Sequence, residues 1–287
     1  MIITMSNSVI NSTPADSLPL TDRGGSYGHG LFETMLLHDG ALPLLQQHFK
    51  RLLRDAPVLG VNITADQLSS NLDSLLRGLT PEQRQSGIVK VIVTAGSGGR
   101  GYALPVLSEV SPRIIAQYFP LPDDLQIQRQ QGISLTECDY RLPLNSRLAG
   151  IKHLNRLDQV MARSEWAEEY DDGIMFSADD SLIETTRANL FIKLSSGWVT
   201  PILDQAGVRG VMRELLIHGL FARAGLKLQQ ARVSREQLYS ASELFTCSSV
   251  RGIVPVTSMM NVGALSVGKD TRLLQSTLLN NVQGFPC

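Results

Sequence analysis

The sequence predicts an α+β fold in two domains, and three observations carry that prediction. Short β-branched apolar runs and amphipathic helical stretches are mixed without forming a regular strand-helix-strand array. In the second half, several strand-like runs are separated only by turn residues, a pattern that calls for antiparallel pairing. Between the halves, "PLPDD" at 120–124 places two prolines and two acids where the periodicity breaks. The reading is a small N-terminal α/β domain over 1–119 and a linker over 120–125. A larger domain follows over 126–287, with mostly antiparallel strands and flanking helices. A chain of 287 residues, 43% of them hydrophobic, can bury two cores.

In the N-terminal part, "LFETMLLHDGALPLL" reads as two strands joined at Asp39-Gly40, a dipeptide that accepts the positive φ angles of a tight hairpin. "LLQQHFKRLLRDAPVLG" sets Leu45, Phe49, Leu52 and Leu53 at helical spacing. "VNITADQLSSNLDSLLRGLTPEQ" does the same with Leu68, Leu72, Leu75 and Leu76, and Pro81 marks the end of that helix. "GIVKVIVTAG" and "PRIIAQYF" are well-buried strands by their continuous β-branched content.

In the larger part, "GISLTECDYRL" is a strand, and "NRLDQVMARSEWAEEY" puts Leu157, Val160, Met161 and Ser164 on one helical face. "GIMFSADDSLIETTRANLFIKLSSGWVTP" supplies antiparallel strands with turns at "ADDS" and "SSG". "GVRGVMRELLIHGLFARAG" is an amphipathic helix closed by Gly225 as C-cap. Strands return in "SELFTCSSVRGIVPVTSMMNVGALSVG", and a last helix starts near 270.

A net charge of -1 offers no basic field for nucleic acid or an anionic membrane. No run of eighteen apolar residues and no secretory leader pattern is found, so the expected location is the cytoplasm. Cys138, Cys247 and Cys287, odd in number and far apart, fit reduced thiols, and the five histidines form no paired metal motif. "GSGGRG" at 96–101 matches a dinucleotide fingerprint after a strand, but "YALPVLSEVSP" beyond it has prolines and no helical face. The expected role is therefore a strand-to-strand loop.

Chemistry concentrates around a lysine. Of Lys50, Lys90, Lys152, Lys193, Lys227 and Lys269, three lie among apolar residues: Lys90, Lys152 and Lys193. Periodicity does not choose among these, since each could snorkel. Lys152 is set apart by Asn155 and Arg156 close behind it and by an acid-bearing strand, "LIETTRANLF", further on. A desolvated lysine can bond to a carbonyl carbon, as in enzymes that hold pyridoxal phosphate. That cofactor also asks for an acid at its pyridine nitrogen and N–H and hydroxyl groups for its phosphate. Glu184, in an apolar and threonine-rich strand, is a candidate for the first role; a salt bridge to Arg187 or another arginine accounts for it equally well. "GVRGVM" at a helix start and Ser248 and Ser249 are candidates for the second.

Together "HFKRL", "GIKHLNRLDQV", "LIETTRANLF", "LDQAGVRGVMRE" and "TCSSVRGIVPV", in this order from "DRGGSYGHGLFET" onward, resemble the fold-type IV pyridoxal phosphate enzymes, the class IV aminotransferase family. The resemblance implies Lys152 as the Schiff-base lysine and proton carrier, Glu184 at the pyridine nitrogen, and Arg51 on the phosphate, with Val211, Met212, Ser248 and Ser249 completing the cradle. Arg51 taken alone reads as an exposed helix arginine. "GSGGRGY", "AGIKHLNRLDQV" and "LDQAGVRGVMR" favour the family's 4-amino-4-deoxychorismate lyase branch. Branched-chain or D-amino-acid aminotransferase is the alternative. The lyase branch implies 4-amino-4-deoxychorismate as substrate, pyruvate and 4-aminobenzoate as products, and a homodimer. For its two carboxylates the candidates are Arg100, Arg147 and Arg251, with Tyr27, Thr34 and Tyr102 lining the pocket.

Overall fold

Residues 8–98, 101–104 and 111–286 are described by the structure, a computed structural model. The chain divides into two units, Met1–Leu121 with Lys152–Asn155 and Pro122–Ile151 with Arg156–Cys287. The short segment at 152–155, far along the chain, thus groups with the N-terminal unit.

The first unit is built on β1 (Ser8–Ile10), β2 (Thr13–Pro14), β3 (Gly30–His38), β4 (Ser86–Thr94) and β5 (Arg113–Phe119). They form an antiparallel sheet in the order β2-β1-β5-β4-β3. Alternation explains the placement: in β4 every second residue is buried and its neighbours are half-buried, so one face meets a core. Helices Leu45–Asp55 and Ala65–Gly78 supply that core with Phe49, Leu52, Leu68, Leu72 and Leu75. The second helix starts at a capping box of Thr64 and Gln67.

Two expectations fail here. Asp39 and Gly40 do turn the chain with positive φ, but past them only Ala41 bridges back to His38. Pro43 cannot donate to a ladder and Leu44 leads into the helix, so β3 finds its partner in β4. Pro81 is the first residue of a separate short helix, Pro81–Gln85, capped by Thr80 and Gln83; the preceding helix has already ended at Gly78.

The second unit carries β6 (Ile133–Leu142), β7 (Asp172–Ser177), β8 (Leu182–Thr185), β9 (Asn189–Leu194), β10 (Gly197–Pro201), β11 (Leu228–Ala231), β12 (Glu243–Ser248), β13 (Gly252–Met259) and β14 (Gly263–Ala264). Their order is β11-β10-β9-β12-β13-β6-β7-β8, with β14 on β13. Pairing is antiparallel except at β10-β11, β13-β6 and β6-β7, which are parallel. Residues 211–223 form one helical run with a π turn at Leu216–Leu220. It is seated by Phe221, whose ring stacks on Phe191 at 5.5 Å, and Phe191 in turn stacks on Phe245 at 4.9 Å. Buried aromatic stacking of this kind seats the end of the helical run on β9 and β12.

Helix Leu157–Arg163 forms, but its apolar face does not enter a core: Leu157 is 70% exposed, Val160 60% and Met161 48%. Ala162, on another face, is the residue it buries. Periodicity reports that an apolar face exists, and only packing says whether a core lies beneath it.

Candidate active site

Lys152 is held by backbone pairing. β3 is the last strand of its sheet, so one edge of its N–H and C=O groups is left for another segment. Residues 152–154 take that edge: the Phe32 amide donates to the Lys152 carbonyl at 3.0 Å, and the Leu154 amide donates to Gly30 at 3.0 Å. The lysine is half-buried in an extended stretch that precedes the helix, and Nζ lies 4.1 Å from the centre of the Phe32 ring. Lys90 Nζ is 5.6 Å from the same ring. Lys193 is different in kind, because its Nζ sits 2.7 Å from both Glu243 and Asp270. Hydrogen bonding to Asp270 and Glu243 raises its pKa, so it is kept as an ammonium.

Glu184 lies in β8, whose four residues are all buried. Its Oε2 accepts from the Val208 amide at 2.9 Å and from Asn189 Nδ2 at 3.2 Å. Arg187, the partner considered from the sequence, goes elsewhere: its Nε is 3.4 Å from Asp172 and its Nη2 donates to the Asp171 carbonyl. The charge of Glu184 does act on Arg156, opposing the effect of that arginine's burial.

The loop 207–210 reaches Glu184 because it is built from glycine at its ends. Gly207 has φ +81, and a side chain there would meet Ile183 at 2.6 Å and Leu203 at 2.9 Å. Gly210 donates to Asn189 Oδ1 at 3.1 Å, and a Cβ on it would lie 2.2 Å from that oxygen. Asn189 therefore ties the acid to the helix start, donating to Glu184 and to the Val208 carbonyl. The helix begins at Val211 with a glycine as N-cap, so no side chain caps it. The first N–H groups, at buried Val211 and Met212, have no intrahelical acceptor and suit an anion.

Arg51 is not an exposed helix arginine. It is buried on helix Leu45–Asp55, where Nε donates to Glu33 Oε1 at 2.7 Å and Nη2 donates to Oε2. His48 Nδ1 meets the same Oε2 at 2.6 Å. Burial alone would raise the Glu33 carboxyl; the positive charge of Arg51 and the His48 hydrogen bond overcome it and bring the pKa down to about 2. Burial holds His48 below its ordinary value, against the pull of Glu33.

Glu33 and His48 were not singled out by the sequence analysis. The available signal was an acid on the buried alternation of β3, with Leu31, Met35 and Leu37.

Ser248 ends β12 and accepts the Arg251 amide at 3.1 Å; Ser249 follows in the turn. Arg251 is half-buried, and its guanidinium donates to Gln128. Arg147 is exposed in the turn at 146–149. Thr34 is half-buried in β3. Tyr27 ends a short helix that Asp22 caps, and its ring lies edge-on to Tyr102 at 5.5 Å, with the Arg23 guanidinium 4.9 Å away. Tyr102 is 87% exposed. Arg100 and Cys287 lie outside the described residues, as does part of "GSGGRG"; Cys138 and Cys247 are free buried thiols.

Comparison with known proteins identifies the family. The profile of a family described as amino-transferase class IV matches residues 30–259. Aminodeoxychorismate lyase of Vibrio harveyi is 32% identical over 273 residues, covering 94% of this chain and 98% of that protein. The crystal structure of 4-amino-4-deoxychorismate lyase from Pseudomonas aeruginosa superposes with a TM-score of 0.88 at 36% identity, covering 97% of this chain and all of that one. D-alanine aminotransferase of Bacillus licheniformis is 25% identical over 269 residues, 93% of this chain and 92% of that protein.

Enzymes of this family use pyridoxal phosphate, and the residues present fit it. The helix start at Val211 offers uncapped N–H groups, Glu184 is a buried carboxylate, and Lys152 is a half-buried amine. Those are the donors, the acid and the nucleophile that the cofactor's phosphate, ring nitrogen and aldehyde require.

Proposed function

The chain belongs to the class IV amino-transferase family, and from that premise we propose that it is an aminodeoxychorismate lyase. It converts 4-amino-4-deoxychorismate into 4-aminobenzoate and pyruvate. The observation that carries the choice is full-length likeness to two lyases at 32% and 36% identity, against 28% to a putative branched-chain-amino-acid aminotransferase and 25% to a D-alanine aminotransferase.

In this reading Lys152 Nζ is the group that would hold the cofactor covalently at its aldehyde carbon. The uncapped N–H groups of Val211 and Met212, with Arg51, Ser248 and Ser249, hold the phosphate. Glu184 keeps a proton at the pyridine nitrogen, and Asn189 and the Val208 amide keep Glu184 in place. Pyridoxal phosphate, when bound, supplies an electron sink for the charge left as C4 loses its proton. Lys152 Nζ, released as a neutral amine, takes that proton. The C3–O bond breaks, the ring becomes aromatic, and the enolpyruvyl fragment leaves and takes up a proton to become pyruvate. Arg100, Arg147 and Arg251 are the candidate partners for the substrate carboxylates, with Tyr27, Thr34 and Tyr102 beside them.

The enzyme works as a homodimer in the cytoplasm. The exposed Leu157, Val160 and Met161 support the first, as an apolar face that a second copy would cover. The free thiols Cys138 and Cys247 support the second.

One assay tests the activity. Purified protein given 4-amino-4-deoxychorismate should release 4-aminobenzoate and pyruvate in equal amounts with no 2-oxo acid added. Turnover that requires a 2-oxo acid and consumes valine or D-alanine instead makes the chain an aminotransferase.

A further inference from the structure

We propose that Glu33 and His48 are positioning residues for Arg51, holding its guanidinium in the orientation that meets the cofactor phosphate. The inference rests on the reading of Arg51 as a phosphate ligand.

Glu33 is 1% exposed on the core-facing side of β3, and three donors converge on its carboxylate. Arg51 supplies Nε to Oε1 and Nη2 to Oε2, so one edge of the guanidinium lies along the carboxylate in a two-pronged fork. Such a fork fixes the guanidinium plane, and with it the direction of the remaining N–H donors. His48 and Arg51 are three residues apart on one helix face. The histidine's bond to Oε2 takes up a further lone pair, so the carboxylate is gripped from both sides.

The charges are matched. Glu33 and Arg51 cancel, and His48, faced by Glu33, Arg51 and Lys152, is kept neutral by burial. A neutral ring that donates from Nδ1 leaves Nε2 as an acceptor, and Nε2 is buried with no hydrogen-bond partner among the described residues. Stability alone does not favour such an arrangement, because apolar residues of similar volume fill a buried ion-pair site at no loss. Holding a charged ligand-binding group in one orientation does require it.

The test uses apoprotein and two probes, pyridoxal phosphate and pyridoxal, which lacks the phosphate. Dissociation constants are measured for wild type, Glu33→Gln, His48→Gln and Arg51→Ala. Glu33→Gln should weaken pyridoxal phosphate by about tenfold and His48→Gln by about threefold, with pyridoxal binding unchanged. The ³¹P resonance of the bound phosphate should shift in both variants. Equal weakening of both probes, or no weakening of either, overturns the positioning role; if Glu33→Gln does not fold, His48→Gln decides alone. Should Arg51→Ala keep the wild-type preference for the phosphorylated probe, the phosphate reading of Arg51 fails and takes this inference with it. If Arg51→Ala loses that preference while the other two keep it, only the positioning role fails.

Discussion

The Phe32 amide donates to the Lys152 carbonyl at 3.0 Å, while Lys152 Nζ stands 4.1 Å from the centre of the Phe32 ring. One residue of an edge strand thus fixes both the backbone and the side chain of the lysine. Pairing the lysine's backbone with an edge strand limits how far its amine can wander, which suits the role proposed for it.

Replacing Lys152 by Ala should abolish the borohydride-trapped cofactor adduct and lower turnover by about 10³-fold or more. Lys90→Ala, near the same ring, should retain the adduct at residue 152. Peptide mapping after reduction reads both, and an adduct on Lys90 would sink the assignment.

Glu184→Gln should still hold the cofactor on Lys152 but turn over roughly 10²-fold more slowly, because an amide cannot hold a proton on the pyridine nitrogen. Single-turnover kinetics beside the absorbance of the loaded enzyme separate the two effects. Unchanged turnover with an intact adduct would falsify the role given to this acid.

Gly210→Ala puts a Cβ 2.2 Å from Asn189 Oδ1. Asn189 must then move, and it also holds Glu184 and the Val208 carbonyl. The expected cost is about 2 kcal/mol, seen as a thermal midpoint lower by about 5 °C, with weaker pyridoxal phosphate binding. A wild-type midpoint and affinity would mean that the loop relaxes freely.

Stability should fall in acid in two stages. Burial keeps His48 below its ordinary 6.5, so the unfolded chain takes up a proton there that the folded chain refuses, and stability declines as pH drops below about 6.5. Glu33, at about 2 against an ordinary 4.5, contributes stability that is complete above about 4.5 and is lost as pH falls toward 2, about 3 kcal/mol in all. Urea midpoints measured against pH should decline less between pH 6.5 and 5 for His48→Gln than for wild type. Parallel curves would rule out His48 as the source.

A charge on the exposed apolar helix should break the proposed homodimer. Val160→Glu is expected to sediment as a folded monomer, with loss of association of about tenfold or more. A wild-type dimer in that variant would place the interface elsewhere.

The sequence by itself determined the elements whose signal is local: the leucines of the helix over Ala65–Gly78, the β-branched run that forms β4, the turn at Asp39-Gly40, and Glu184 as an acid among apolar neighbours. Lys152 was legible only as one of three apolar lysines until family motifs chose it. Tertiary structure decided the rest. Arg51 is buried because Glu33, eighteen positions away, reaches it across the sheet-to-helix contact. Lys193 is an ion-pair residue because Glu243 and Asp270 arrive from distant strands and helices. Helix Leu157–Arg163 has an apolar face that no element among the described residues covers. Periodicity and turn chemistry act over a few residues and leave their mark in the sequence. Whether a polar side chain is paired, or an apolar one covered, depends on which remote segment is brought against it, and that is written only in the fold.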